Sequence, residues 1–167
     1  MATNVENKIK NLISTKEATF LRVKGKLSDS LAIGMISEIS FWKHFNSIRR
    51  DEGGSFYKQT SVNGLDFANI LLFEEIIIED GIKQTDIDFV VPHLNMPNTL
   101  FMVELKINST GNPERIRGQL SRGRTQQKTN KDVIKNWAAP HFPGKELIFV
   151  TIVYDVVNGD TYIQSVK

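Results

Sequence analysis

Three charged side chains within residues 84–107 have the types and spacing to do chemistry together: Asp88, Glu104 and Lys106. Carboxylates supply the hard oxygen ligands that divalent cations take. An ammonium beside them favours the hydroxide form of an attacking water and the negative charge of a transition state. The stretch reads QTDIDFVVPHLNMPNTLFMVELKI, two strands joined by a turn. Strand side chains alternate with period two. Ile87, Phe89 and Val91 therefore share one face, with Asp86, Asp88 and Val90 on the other. Phe101, Val103, Leu105 and Ile107 share a face of the second strand, opposite Met102, Glu104 and Lys106. The intervening HLNMPNT, preceded by Pro92, is rich in residues that favour turns.

Register decides what these residues do. Antiparallel pairing with partner numbers summing to 192 sets Asp88 opposite Glu104 and Asp86 opposite Lys106. A slip of one residue sends the two charged faces to opposite sides of the sheet. Directly opposed carboxylates repel, and a divalent cation between them reverses that sign. Alternation by itself is also what a half-solvated antiparallel strand shows. The combination of an acid on one strand with Glu-x-Lys on the next is what points to a site.

Asp88 followed by Phe89-Val90-Val91, then the acid of Val103-Glu104-Leu105-Lys106 sixteen residues on, resembles the PD-(D/E)XK nuclease superfamily. That superfamily includes restriction endonucleases and Holliday-junction resolvases. The resemblance implies an α/β fold of the α+β mixed-sheet kind. Its restriction-endonuclease-like core runs helix, three-stranded meander, helix, strand, with a mixed central sheet flanked by helices. It implies a Mg²⁺- or Mn²⁺-dependent endonuclease hydrolysing phosphodiester bonds of duplex or branched DNA. A non-catalytic nucleic-acid-binding or assembly module of the same fold, and an RNA endonuclease, are the alternatives. The metal ligands implied are Asp88, Glu104 and the carbonyl of Leu105, with Glu38 or Asp86 serving a second ion. Thr85 precedes Asp86 and Ile87 precedes Asp88, so neither acid follows a Pro. Asp88 is favoured because an apolar strand run follows it directly. Lys106 is the implied catalytic cation. A homodimer is expected by analogy, since cutting both strands of a duplex takes two active sites.

The elements around the hairpin follow from periodicity. Asp29–Arg49 reads as a helix capped by Ser28 or Asp29. Its stripe is Ala32, Met35, Ile36, Ile39, Trp42 and Phe45, with Glu38 inside it. A carboxylate on such a stripe is costly unless paired or metal-bound, or it snorkels to water. Residues 4–14 read as a short helix, and residues 1–27 as a cover or arm on a single domain whose core is 28–167. Residues 19–23 are ambiguous between strand and helix. Phe56–Val62 and Ile70–Glu79 read as strands, and Asp80-Gly81 as a hairpin turn. Residues 70–91 then form one hairpin and 84–107 the next. Asn112 and Pro113 start a helix to about Gln127, with a second helical segment over 128–137 stopped before Pro140. The first of these carries Arg115, Arg117, Gln119, Arg122 and Arg124, and Lys128 follows it. Arg suits phosphate oxygens, so these residues are the expected nucleic-acid contacts. The resemblance gives Gln119 a place facing the active site. Gly118 and Gly123 weaken the helix and could admit a close phosphodiester backbone. ELIFVTIVY, residues 146–154, reads as a strand buried on both faces, followed by an Asn158-Gly159 hairpin to residues 161–166.

Bulk properties set the limits. With 40% hydrophobic and 24% charged residues the chain is of the soluble globular class. No apolar run is long enough to span a bilayer, so no membrane partner is expected, and the first twelve residues lack a secretory-signal core. Cysteine is absent, which excludes a disulfide scaffold and a thiolate zinc site and permits a cytoplasmic setting. The net charge is only +2, yet it is unevenly placed. Seven acids and one Lys lie between Asp66 and Val90, and eight bases and two acids between Lys106 and Lys135. An acidic segment followed by a basic one suits a protein that holds a cation and grips phosphates nearby.

Overall fold

Two helices begin the chain, α1 (Asn4–Val23) and α2 (Asp29–Ile48). The computed structural model describes residues 4–48, 59–60, 64–66, 69–71, 76–80 and 83–166, and leaves out the side chains of 4–5, 46–48, 59–60, 76–80 and 83–86. Strands β1 (Gln59–Thr60), β2 (Ile76–Asp80), β3 (Lys83–Ile87), β4 (Phe89–Pro92) and β5 (Thr99–Asn108) follow. The long helix α3 (Pro113–His141) then leads to β6 (Glu146–Asp155) and β7 (Asp160–Ser165). The fold is α+β, with a mixed sheet in the order β1-β7-β6-β5-β4 flanked by helices. Strands β2 and β3 form a separate antiparallel ribbon. Among the described residues no helix is long and apolar enough to cross a membrane.

Helix α1 is one unbroken helix where the sequence suggested a short one and an ambiguous stretch. Ile9 and Ile13 are buried in the core, with Leu12 and Phe20 packed against it. Glu17 also reaches Lys43 of α2, with a 3.7 Å separation. Ser28 opens α2 as expected: its Oγ accepts from the Leu31 N–H at 3.3 Å. The buried side of α2 is Ile39, Phe41, Trp42 and Phe45 rather than the whole predicted stripe, because Ile36 is 51% exposed. Phe41 stacks against Phe89 and meets Tyr154 edge-on. Each such aromatic, fully buried, contributes about 1.5–3 kcal/mol. His44 stacks on Tyr154 at 5.4 Å. Burial lowers the His44 pKa and raises that of Tyr154.

The sheet separates two layers. Phe89, Val91, Phe101, Val103, Val150, Ile152 and Tyr154 face α1 and α2. Val90, Leu100, Met102 and Phe149 face Val133, Ile134 and Ala138 of α3. Strands β5 and β6 pair in parallel over ten residues, Glu104 beside Thr151. Parallel neighbours need a long crossover, and α3 is that crossover. Residues 149–155 of β6 are all buried, as its apolar run predicted.

The β4–β5 register is the predicted one, Phe89 with Val103 and Val91 with Phe101. Among the described residues the expected three-stranded meander is divided between two sheets, β2 with β3 and β4 with β5, while the Leu71 N–H still donates to Val90 O at 2.9 Å. The chain bends at Asp88, and Asp86 pairs with Ile77 in the β2–β3 ribbon instead of with Lys106. The Asp80-Gly81 hairpin is borne out by that ribbon, whose Asp80 pairs with Lys83. Of the predicted strand 56–62, Gln59 and Thr60 pair in parallel with β7, and the rest lies outside the described residues. So do residues 72–75 of the expected strand 70–79.

Helix α3 is continuous, not two segments. Asn112 caps it, its Oδ1 accepting from the N–H groups of Glu114 (2.9 Å) and Arg115 (3.3 Å), and Pro113 holds the first turn. Pro140 sits in the last turn, where its missing N–H costs only one bond before the Phe142 N–H closes on Ala138 O at 2.7 Å. Changing Asn112 to Ala strips two first-turn N–H groups of their acceptor. A loss of about 1 kcal/mol is expected, read as a lower urea midpoint; an unchanged midpoint would show that water replaces the cap without cost.

Candidate active site on the α3 face of β5

Strand β5 places Met102, Glu104, Lys106 and Asn108 in one row, because alternate residues share a face. Met102 lies in the apolar layer under α3. Glu104 is next and is 9% exposed. A carboxylate so enclosed needs a partner, and the Lys106 Nζ lies 3.6 Å from its Oε1. The same ammonium donates to Gln126 Oε1 of α3 at 3.3 Å. Two acceptors thus fix a flexible side chain within the row.

Asp88 reaches this place from β4. Its N–H donates to Val103 O at 3.2 Å. Its Oδ2 accepts the Leu105 N–H at 2.7 Å. The carboxylate therefore takes the rung that the next strand residue would have filled, which is why the β4–β5 ladder ends here. It lies directly against the peptide joining Glu104 to Leu105. The Leu105 carbonyl lies on the same strand edge as that N–H, since a strand residue presents both groups to one side.

The remaining expected residues divide. Glu38 does not join Asp88 and Glu104. Helix α2 covers the opposite face of the sheet, and Glu38 pairs with Lys16 of α1 at 2.8 Å. The Asp86 side chain lies outside the described residues. Among the described residues no group of three His, Cys, Asp or Glu is placed to hold a metal. Arg115, Arg117, Arg122, Arg124 and Lys128 are exposed on α3, and none has an ion pair or side-chain hydrogen bond among the described residues.

Gln119 is not the glutamine that meets Lys106. Its Nε2 donates to Ile107 O and its Oε1 accepts from Asn108 Nδ2, both at 2.8 Å. Gln126 takes that role; it lies seven residues on, two turns along the same helix face, and that spacing was the available signal. Gln127 was missed as well. Buried at 5% exposure, its Nε2 donates to Val150 O at 2.6 Å and to Met102 O at 3.3 Å. It ties α3 to both central strands beside Glu104. Gln127→Leu removes the donor from two buried carbonyls, with an expected cost of about 1–3 kcal/mol. Thermal unfolding checks this, and a variant as stable as wild type contradicts the tie. Gly123 does not admit a phosphodiester backbone: it is buried, with Thr151 where its Cβ would lie.

No protein-family model matches the chain, and no curated protein sequence does.

Proposed function

We propose that this protein is a Mg²⁺- or Mn²⁺-dependent endonuclease of the PD-(D/E)XK kind, acting on DNA. The observation that carries the reading is the seat of the Asp88 carboxylate on the Glu104–Leu105 peptide, with Glu104 and Lys106 in contact beside it. The donor set consists of oxygens, which suits a hard divalent cation. Asp88 and Glu104 would hold it, together with the Leu105 carbonyl. Carboxylate oxygens accept more than one bond each, so the Leu105 N–H orients Asp88 without excluding a cation. When bound, such a cation supplies positive charge to the phosphoryl oxygens and lowers the pKa of a coordinated water. Lys106 holds a second positive charge beside Glu104, where it favours the deprotonated nucleophile and the charge gained by phosphorus. Gln126 keeps that ammonium from collapsing wholly onto Glu104. The exposed arginines of α3 attract and place the phosphate backbone. Cutting both strands of a duplex by this one site calls for two copies of the chain.

A second reading is a nucleic-acid-binding module of the same fold without catalysis. The Lys106–Glu104 contact favours it, because the pair satisfies a buried charge without any metal. Supercoiled plasmid, single-stranded DNA, a branched junction and RNA, each incubated with Mg²⁺, Mn²⁺ or EDTA, separate the readings. Metal-dependent cleavage of a DNA substrate is expected. Binding without cleavage under every condition leaves the module, and cleavage of RNA alone turns the reading to a ribonuclease.

A further inference from the structure

An open groove of about 520 Å³ lies between the end of β5 and the first turns of α3, beyond the carboxylates. Its size falls within the roughly 300–1,000 Å³ of small-ligand sites. Asn108, Thr110, Arg115, Gly118, Gln119 and Arg122 line it. The floor is a fixed network of neutral groups. Asn108 Oδ1 accepts from the N–H groups of Thr110 (3.0 Å) and Gly111 (2.8 Å), and its Nδ2 reaches Gln119. Gln119 in turn is anchored on the Ile107 carbonyl. This floor shapes the groove and carries no charge.

The charge comes from two arginines seven residues apart on one helix face. Gly118 lies between them. With no side chain there, the Arg122 guanidinium can lie over the helix, its Nη1 3.5 Å from where a Cβ would be. Neither Arg115 nor Arg122 has an ion pair or hydrogen bond from its side chain among the described residues. Glu114 is the one acid on the lining. Arg117 and Arg124 carry the same charge but do not line the groove.

Asn108 follows Lys106 by two residues on the same strand face, about 6.6 Å along β5. With nucleotides rising about 3.4 Å each in a stacked strand, the groove opens about one or two nucleotides from Lys106. Resting on the endonuclease reading, we infer that the groove is a subsite for a nucleoside monophosphate unit adjacent to the scissile bond, with Arg115 and Arg122 gripping its phosphate. The planar guanidinium fork matches phosphate oxygens, and the amide-lined floor offers a neutral wall to sugar and base.

The test uses the full chain in EDTA, so that cleavage plays no part. Labelled oligo-dT and oligo-U are titrated by fluorescence anisotropy across a salt series, with thymidine and uridine 5′-monophosphates as competitors. Arg115→Ala with Arg122→Ala is compared with a charge-matched pair on the other layer, Arg22→Ala with Lys26→Ala. The groove pair is expected to weaken binding about tenfold or more and to lower the salt slope by about 0.7, the value for one phosphate on a single strand. The matched pair is expected to stay within about threefold of wild type. Binding of oligo-dT, of oligo-U or of both supports the subsite. Equal losses in the two pairs, no competition by either monophosphate, or no binding of either oligomer by wild type overturns it. A groove that passes while the protein cleaves nothing with Mg²⁺ keeps the subsite and removes the nuclease.

Discussion

Glu104→Gln is expected to reduce the proposed metal-dependent DNA cleavage by about a thousandfold or more while DNA binding in EDTA survives. The substitution keeps the volume of a side chain that is 9% exposed, so the packing under α3 is preserved. What changes is charge. A bound cation would lose one of its two proposed carboxylate ligands, and Lys106 loses the anion 3.6 Å away, keeping Gln126. Several kcal/mol of transition-state stabilisation depend on a catalytic cation, and each 1.36 kcal/mol is tenfold in rate. Asp88→Asn is expected to behave alike, because an amide oxygen can still accept the Leu105 N–H that Asp88 Oδ2 holds at 2.7 Å. Glu38→Gln serves as the contrast: Glu38 pairs with Lys16 and is partly exposed, so its loss is expected to leave the cleavage rate within about threefold. Initial rates at saturating Mg²⁺, beside anisotropy in EDTA, give both quantities. Cleavage undiminished in Glu104→Gln would place the chemistry elsewhere.

Gly123→Ala is expected to bring no gain in stability, although it replaces a poor helix former with the best one. Propensity alone favours Ala by about 0.8–1.0 kcal/mol. Here a Cβ would come within 3.1 Å of Thr151 Cβ and 2.7 Å of its Oγ1, and closer still to Cγ2. Overpacking of this kind costs about 1–3 kcal/mol, so the net effect is destabilising or near balance, never the full helical gain. Thr151 is wholly buried and stands beside Glu104 in the β5–β6 register. A helix pushed off at this point also draws Gln126 and Gln127 away from Lys106 and the strand carbonyls. The companion change Thr151→Ala removes the clashing atoms, and its hydroxyl has no hydrogen-bond partner to lose. Denaturant midpoints of the two single variants and the double variant are expected to show a favourable coupling of about 0.5–3 kcal/mol. Additive midpoints would mean that α3 does not rest on Thr151.

The Phe89–Val103 register was legible because one slip would turn an entire apolar face outward, and the start of α3 because Asn112-Pro113 carries its own capping chemistry. The destination of Asp86 was not legible. Alternation puts it on the Asp88 face of a straight strand, but the bend at Asp88 hands residues 83–87 to a different ribbon. That bend depends on a side chain replacing a backbone rung, an event with no periodic signature. Glu38 was placed correctly on a helix that packs on the sheet. Its face of the sheet was undetermined, since periodicity says which residues turn inward and not which layer they join. Gln126 and Gln127 were hidden for a related reason: a polar residue on a polar helix reads as solvated until the strand carbonyls beneath it are known.

The cation site between β4 and β5 is tested by binding of Mn²⁺ to the full chain, measured by calorimetric titration without nucleic acid. Saturable binding by wild type is expected, lost in both Asp88→Asn and Glu104→Gln and kept in Glu38→Gln. No saturable binding by wild type, or binding that survives loss of the Glu104 charge, contradicts a cation site between β4 and β5.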